Sequence, residues 1–166
     1  MADKPTYEEL EQAVLTHSDF EQAARVIFDF AKDLIGATAG YVALLSEDGM
    51  ENEVVFLETG GLACTVDPRL PMPIRGLREK SYRTCEVVFE NSFSSSEWIA
   101  FMPKGHVILD NVMFAPLKIK GKAYGLIGLA NKAGGFTVND ARMAAECGEF
   151  AAAALKRAWQ ERNENY

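Results

Sequence analysis

Asp110 to Asp140, DNVMFAPLKIKGKAYGLIGLANKAGGFTVND, decides the fold, because it holds two strands, the turn between them and the start of a helix. Val112 to Ile119 is an apolar run, Lys120 and Gly121 supply a tight turn, and Ala123 to Ala130 returns as a second apolar run. That pattern predicts a hairpin. Strand alternation places Met113, Ala115, Leu117 and Ile119 on one face and Phe114 and Pro116 on the other. Pro116 has no N–H to give to a ladder, so it predicts a bulge or a sheet edge at that point. Gly125 and Gly128 take side chains out of the return strand, either for tight packing or for the close approach of a ligand. After Gly134 and Gly135, Phe136 precedes Thr137-Val-Asn-Asp140, a Thr-x-x-Asp capping box with Phe136 set to staple against Ala141. A long helix is therefore predicted from Val138.

Working outward, Thr6-x-x-Glu9 and Ser18-x-x-Glu21 read as two further capping boxes. They predict a short helix over Tyr7 to Thr16 and a longer one over Asp19 to Ile35, closed by Gly36. In the second, Phe20, Ala24, Ile27, Ala31 and Leu34 repeat at helical spacing and form one apolar stripe. Tyr41 to Leu45 and Glu53 to Glu58 read as strands joined by a loop carrying Asp48-Gly49. Thr59 to Leu109 is loop-dominated: Gly60-Gly61, the prolines between Pro68 and Pro73, the serines between Ser92 and Ser96, and Pro103 with Gly105 all break regular structure. A short helix near Arg75 to Arg83, a strand at Glu86 to Glu90 and one helical turn around Trp98 are the regular pieces expected there. Long irregular stretches inside a domain are more often functional than idle. The last helix, Val138 to about Gln160, carries small residues on one strip (Ala144, Gly148, Ala151, Leu155, Ala158), beside Met143, Cys147, Phe150 and Ala154. Such a surface admits another helix closely, either the N-terminal helix of the same subunit or a second copy.

Composition narrows the function classes. The 166 residues, 48% hydrophobic and 25% charged, suit one globular domain with a sizeable core. A net charge of −7 with dispersed Lys and Arg offers no footprint for nucleic acid. No leader pattern opens the sequence and no apolar run reaches membrane-spanning length, so a cytoplasmic protein is expected. Cys64, Cys85 and Cys147 are far apart and not at zinc spacing, which predicts free thiols and no metal site. Nor is there a Gly-x-Ser-x-Gly elbow, a phosphate-binding Gly-x-x-x-x-Gly-Lys or a His-Glu-x-x-His, and His17 reads as a residue of the first helix's cap region. No catalytic residues are expected.

Asn131-Lys132, Phe136 and Asp140 resemble the Asn-Lys…Phe…Asp-Glu signature of GAF domains, the small-molecule-sensing modules of phosphodiesterases and sensor kinases. Ala141 stands where that signature has Glu. The pieces Leu70-Pro-Met-Pro-Ile-Arg-Gly-Leu77, Trp98, Met102-Pro-Lys-Gly-His106 and Asn111-Val-Met-Phe-Ala-Pro-Leu117 are similar to the GAF domains of bacterial and archaeal sensory histidine kinases, so the resemblance covers most of the chain. It implies an α+β fold of PAS/profilin-like type, a mostly antiparallel central sheet with the N- and C-terminal helices on one face and a loop-covered pocket on the other. Residues 1–166 would form a single such domain, with N-terminal helices over 1–36, pocket-covering loops over 59–109 and a C-terminal helix over 138–160. It also implies that Lys132 and Asp140 form a structural ion pair locking a loop to the last helix.

Candidate site residues fall in the irregular middle. Arg75 and Arg78 flank the opening of a short helix, where guanidinium groups could meet a carboxylate or phosphate or pair with Glu79, Glu86 or Glu90. Phe93, Trp98 and Phe101 could wall a pocket or fill a mini-core, and His106 could hydrogen-bond a ligand. The reading is a signal-transduction sensor of a two-component type, binding an unidentified ligand and relaying occupancy through the terminal helices, as a homodimer, to a separate output protein. The alternatives are a ligand-free dimerisation module, a haem-based gas or redox sensor using His106 with Cys64 or Cys85, and an enzyme like the stand-alone GAF proteins that reduce free methionine sulfoxide with clustered cysteines.

Overall fold

The computed structural model describes residues 6–66 and 70–164, so Pro68 lies outside the described residues. Two N-terminal helices, α1 (Tyr7–Thr16) and α2 (Phe20–Ile35), lead into the hairpin β1 (Ala39–Leu45) and β2 (Glu51–Glu58). The two-residue strand β3 (Met72–Pro73), helix α3 (Leu77–Thr84), strand β4 (Val88–Glu90) and two 3₁₀ turns (Phe93–Ser95 and Glu97–Phe101) follow. The hairpin β5 (Val112–Ile119) and β6 (Lys122–Ala130) and the final helix α4 (Val138–Glu164) complete the chain. The strands form one six-stranded antiparallel sheet in the order β3-β2-β1-β6-β5-β4, and with the helices this is the α+β architecture the resemblance implied.

The decisive hairpin forms as its pattern dictates. Lys120 (φ 52°) and Gly121 (φ 78°) both turn with positive φ, the requirement of the two-residue turn whose twist matches that of the strands. Met113, Ala115, Leu117 and Ile119 face the larger core, whereas Val112 and Phe114 face a second, smaller one. Pro116 lies where β5 becomes an edge, since β4 pairs only as far as Phe114; the register shift comes just after it, between Leu117 and Lys118.

α1, α2 and α4 cover one face of the sheet. The stripe on α2 is buried there at Phe20, Ala24, Ile27 and Ala31, with Leu34 partly buried. Small residues of α4, Ala144, Cys147, Ala151, Ala154, Leu155 and Ala158, are all buried in the same core. Gly148 explains how close the packing is: a Cβ there would lie 2.7 Å from the carbonyl oxygen of Pro116. The strip that admits a helix at close range is thus occupied within the subunit by α2 and β5.

Caps define the helix ends. Thr6 and Glu9 make the reciprocal bonds of a capping box on α1. On α2 the expected Ser18 box is replaced by Asp19, whose carboxylate accepts from the Glu21 N–H at 3.1 Å; a carboxylate is the stronger acceptor at a helix N-terminus. Gly36 closes α2 in the left-handed conformation at φ 93°. At α4, Thr137 and Asp140 exchange bonds of 2.9 and 3.1 Å. Asn91 clamps the residue just before that cap, donating to the Phe136 carbonyl at 2.9 Å and accepting from its N–H at 2.7 Å. Asn91→Ala is expected to lower stability by about 1 kcal/mol in urea unfolding, the scale of a hydrogen-bonded side chain at a partly exposed position.

Candidate functional site

The face opposite the terminal helices is roofed by α3 and the two 3₁₀ turns, over the smaller core of Leu77, Val88, Phe93, Val112, Phe114 and Leu126. α3 is held down by Ser81. Its hydroxyl is fully buried, donates to the Glu86 carbonyl at 2.7 Å and lies 3.4 Å from that of Phe114 on β5. Gly76 caps the helix at φ 70°, and a Cβ there would stand 3.2 Å from the Phe101 ring. The missing side chain lets the second 3₁₀ turn close against the start of α3.

Between roof and sheet lies a cavity of about 80 Å³. Arg75, Arg78, Phe93, Trp98, Phe101 and His106 all line it, so the site candidates spread over the irregular middle converge on one space. Cys64 joins them, brought close by the bond from the Thr65 N–H to the Gly105 carbonyl at 2.9 Å. On the sheet side the lining includes Gly40, Tyr41, Phe114 and Gly128. Gly128 is bare because the Tyr41 ring lies over it, with a Cβ there meeting ring atoms at 3.0 Å. Gly125 serves packing, its missing Cβ leaving room for the Ala43 carbonyl oxygen at 2.5 Å.

The arginines differ in role. Arg75 is exposed at the mouth, donates to the Phe101 carbonyl at 3.2 Å and sits 5.8 Å from the centre of the Phe101 ring. Arg78 reaches inward, where its Nη1 is shielded from solvent and donates no hydrogen bond. Neither pairs with the carboxylates expected for them; Glu79 instead takes Arg83, one turn along α3, at 3.3 Å. Beside Arg78 runs a buried polar chain. Tyr82 donates to Asn52 Oδ1 at 2.5 Å, and Asn52 Nδ2 lies 3.3 Å from the Tyr41 hydroxyl. Burial pushes both phenols above their ordinary range, against the pull of the Arg78 charge, so both keep their protons at neutral pH. Of this chain only Tyr41 lines the cavity, with Asn52 and Tyr82 behind it, and the sequence pattern singles out neither of those two.

His106 Nδ1 is 2.7 Å from the Val107 carbonyl. A carbonyl only accepts, so Nδ1 carries the proton in that contact. A haem does not fit this space. The cavity is smaller than the roughly 150 Å³ that holds benzene in an engineered core, and Cys85 lies elsewhere, its thiol 3.4 Å from the Gly121 carbonyl in a groove beside Pro116 and Val138. Cys147 is in the helical core, where burial pushes its thiol pKa up to about 12. The three cysteines therefore occupy three separate environments, with no pair set for exchange. Among the described residues no cluster of His, Cys, Asp or Glu could hold a metal ion, and no helix is long and apolar enough to cross a membrane.

The signature residues lie outside the cavity and fasten α4 to the sheet. Asn131, at φ 60°, accepts from the Asp110 N–H at 2.8 Å and donates to the Ile108 carbonyl at 3.0 Å. The Asn111 side chain bridges the backbone of Lys132 through bonds of 2.8 and 2.9 Å. Lys132 Nζ then reaches Asp140 Oδ2 at 2.5 Å. Burial works against the Asp140 charge, but Lys132 and the bonds from Thr137 outweigh it and hold the carboxyl below its ordinary range.

Comparisons with known proteins agree with this geometry. No curated protein matches the chain in sequence. The GAF domain of a phosphoenolpyruvate-protein phosphotransferase from Coxiella burnetii superposes with a TM-score of 0.77 at 14% identity, covering 94% of each chain. Free methionine-R-sulfoxide reductase from Neisseria meningitidis, in complex with its substrate, gives 0.74 at 16% identity over 93% of this chain and 88% of that one. A methyl-accepting chemotaxis protein fragment gives 0.71 at 15% identity over 90% and 96%. These likenesses establish the fold. The family model described as GAF domain matches residues 17–156, most of the sequence, and the chain belongs to the GAF domain family.

Proposed function

We propose that this GAF domain is a sensor: it binds a small molecule in the cavity under α3 and passes occupancy to a partner through the terminal helices. The observation that carries the reading is the convergence of Arg75, Arg78, Trp98, Phe101 and His106, from a stretch that need not pack together to complete the main core, on one apolar-walled space. Pockets of this kind combine an apolar wall with a few polar groups that fix orientation. The β5–β6 hairpin links cavity to output, since Phe114 lines the cavity while Met113 and Leu117 of the same strand pack beneath α4. Occupancy would act by favouring one of two arrangements of that junction, and only through differential affinity for them. In this reading the domain binds without turning over a substrate, and it serves a cytoplasmic two-component or related pathway. Pairing of two copies would use strips of α4 other than the buried one, such as the exposed Arg142, Glu149, Ala153 and Lys156; light scattering across dilution tests it, and a strictly monomeric mass removes it.

The second reading, a ligand-free interaction module, is favoured by the small volume of the cavity. A thermal-shift panel of metabolites with native mass spectrometry of freshly purified protein separates the two. A saturable shift or a bound mass supports sensing; neither, across a panel that includes small acids, amides and nucleotides, supports the module.

A further inference from the structure

Arg78 poses a problem that the fold leaves open. Its Nη1 is shielded from water and has no hydrogen-bond partner, and the side chain lines a largely apolar space. A guanidinium donor left bare in a dry site costs several times what a satisfied one does, and native structures seldom retain one without a ligand, ion or water to complete it. Its neighbours do not complete it, because the phenols of Tyr41 and Tyr82 stay neutral and Asn52 is engaged with both. Among the described residues the one carboxylate lining the cavity is Glu58, whose Oε1 is tied to Lys32 at 3.0 Å and whose Oε2, without a hydrogen bond, stands 3.6 Å from Arg25. A protein of net charge −7 thus encloses a cavity whose uncompensated charge is positive.

The Tyr41 hydroxyl accepts from Asn52 and gives its own proton to no described residue, which leaves a second donor on the same wall. Phe93, Trp98, Phe114 and Leu109 make the rest of the wall mainly apolar, with Arg75, His106, Cys64 and Thr59 as its further polar side chains. Size sets a further limit: at about 80 Å³ the space is near half of the roughly 150 Å³ that takes benzene.

We propose that the ligand of this cavity is a small monocarboxylate of about four to six non-hydrogen atoms, its carboxylate on Arg78 and the Tyr41 hydroxyl and its short apolar body against Trp98 and Phe114. The inference rests on the sensor reading and names the ligand class for it. A planar carboxylate takes two donors at once, which matches a guanidinium nitrogen and a phenol on one wall. The hydrocarbon remainder matches the apolar lining, which a phosphate, needing donors on every side, does not.

The test compares propionate with propionamide, and butyrate with butyramide, at constant ionic strength, reading the melting temperature and the indole N–H resonance of Trp98. Each pair has nearly the same shape and differs in charge. The carboxylates are expected to raise the melting temperature saturably and shift the indole signal, with each amide at least tenfold weaker. Arg78→Gln is expected to weaken the carboxylates at least tenfold while leaving the amides where they were. Amides that bind as well as the acids, or acids that bind Arg78→Gln undiminished, overturn the carboxylate assignment and leave a sensor of neutral molecules. Failure of all four compounds on the wild-type protein, while another member of the metabolite panel binds, also overturns it and leaves sensing intact. Failure of every compound in both experiments overturns both. The acid-to-amide comparison on the wild-type protein decides the matter even if Arg78→Gln does not fold.

Discussion

Gly40→Ala is expected to cost about 3 kcal/mol or more of stability, and to leave much of the protein unfolded near 37 °C, as read by urea denaturation and by the loss of dispersed amide signals. The added Cβ would stand 2.1 Å from the carbonyl oxygen of Gly128 on the neighbouring strand and 2.8 Å from the Phe28 ring. Backbone oxygen cannot swing aside as a side-chain tip can, so the β1–β6 ladder has to open or Phe28 has to leave a site where it is fully buried. Overpacking of a dense interior ordinarily costs about 1–3 kcal/mol, and a clash with a ladder carbonyl belongs at or above the top of that range. The matched control is Gly121→Ala in the β5–β6 turn, where φ is 78° and nothing stands within 4 Å of the added atom. That substitution meets only the left-handed backbone penalty of about 1–2 kcal/mol. Because Gly40 has no positive φ, a loss no larger than that of Gly121→Ala would mean that the neighbouring strand gives way and relieves the contact. Gly40 also lines the cavity, so a partly folded Gly40→Ala protein should lose ligand response before it loses its helices.

That contact illustrates what the sequence could and could not convey. The β5–β6 hairpin was legible because each requirement was local: two apolar runs, a Lys-Gly turn that accepts positive φ at both positions, and a cap that starts the next helix. The cavity's candidates were legible as residue types in an irregular stretch, but for Arg78, Trp98 and His106 nothing local separated a place on a cavity wall from surface pairing, a mini-core or a solvated loop. The polar chain behind Tyr41 was not legible. Asn52 disfavours strands by propensity, and the sequence pattern starts β2 one residue after it, at Glu53. Its burial depends on pairing with Met72 across β3 and on the hydroxyl of Tyr82, thirty positions along the chain. Neither partner leaves a local signal. The same holds for Asn91 and Asn111, whose side chains bridge backbone 45 and 21 positions away. As for the small strip on α4, its spacing correctly announces a close neighbour, but spacing alone does not distinguish a helix and strand of the same subunit from a second copy.

Asp140→Ala is expected to lower stability by about 3 kcal/mol, because one carboxylate does two jobs. Its Oδ2 accepts from the Thr137 N–H at 2.9 Å, closing the capping box of α4, and from Lys132 Nζ at 2.5 Å, tying the β6–α4 loop to the helix. Loss of a cap costs about 0.5–2 kcal/mol, and leaving the Lys132 ammonium, only 21% exposed, without a counter-charge adds about 1–3 kcal/mol. Asp140→Asn separates the two: the amide oxygen can still accept from Thr137, so it is expected to recover about 1 kcal/mol, the cap alone. The pH dependence gives an independent check. The carboxyl is held below its ordinary range in the folded protein, so the unfolded chain takes up its proton first as pH falls. The stabilisation is therefore present in full above the ordinary carboxylate pKa of about 3.9 and is lost as pH drops through the lower folded value. Wild-type protein should lose this contribution on acidification, while Asp140→Asn, which has no proton to bind there, should show a shallower acid limb in the same titration. Parallel acid limbs would mean that other carboxylates govern acid unfolding and that the pair with Lys132 sets register alone. Because α4 rests on the strand that also lines the cavity, the proposed sensor with α4 loosened at Asp140 should keep its ligand affinity but transmit the occupancy less, and this is the behaviour that separates a structural lock from a ligand contact.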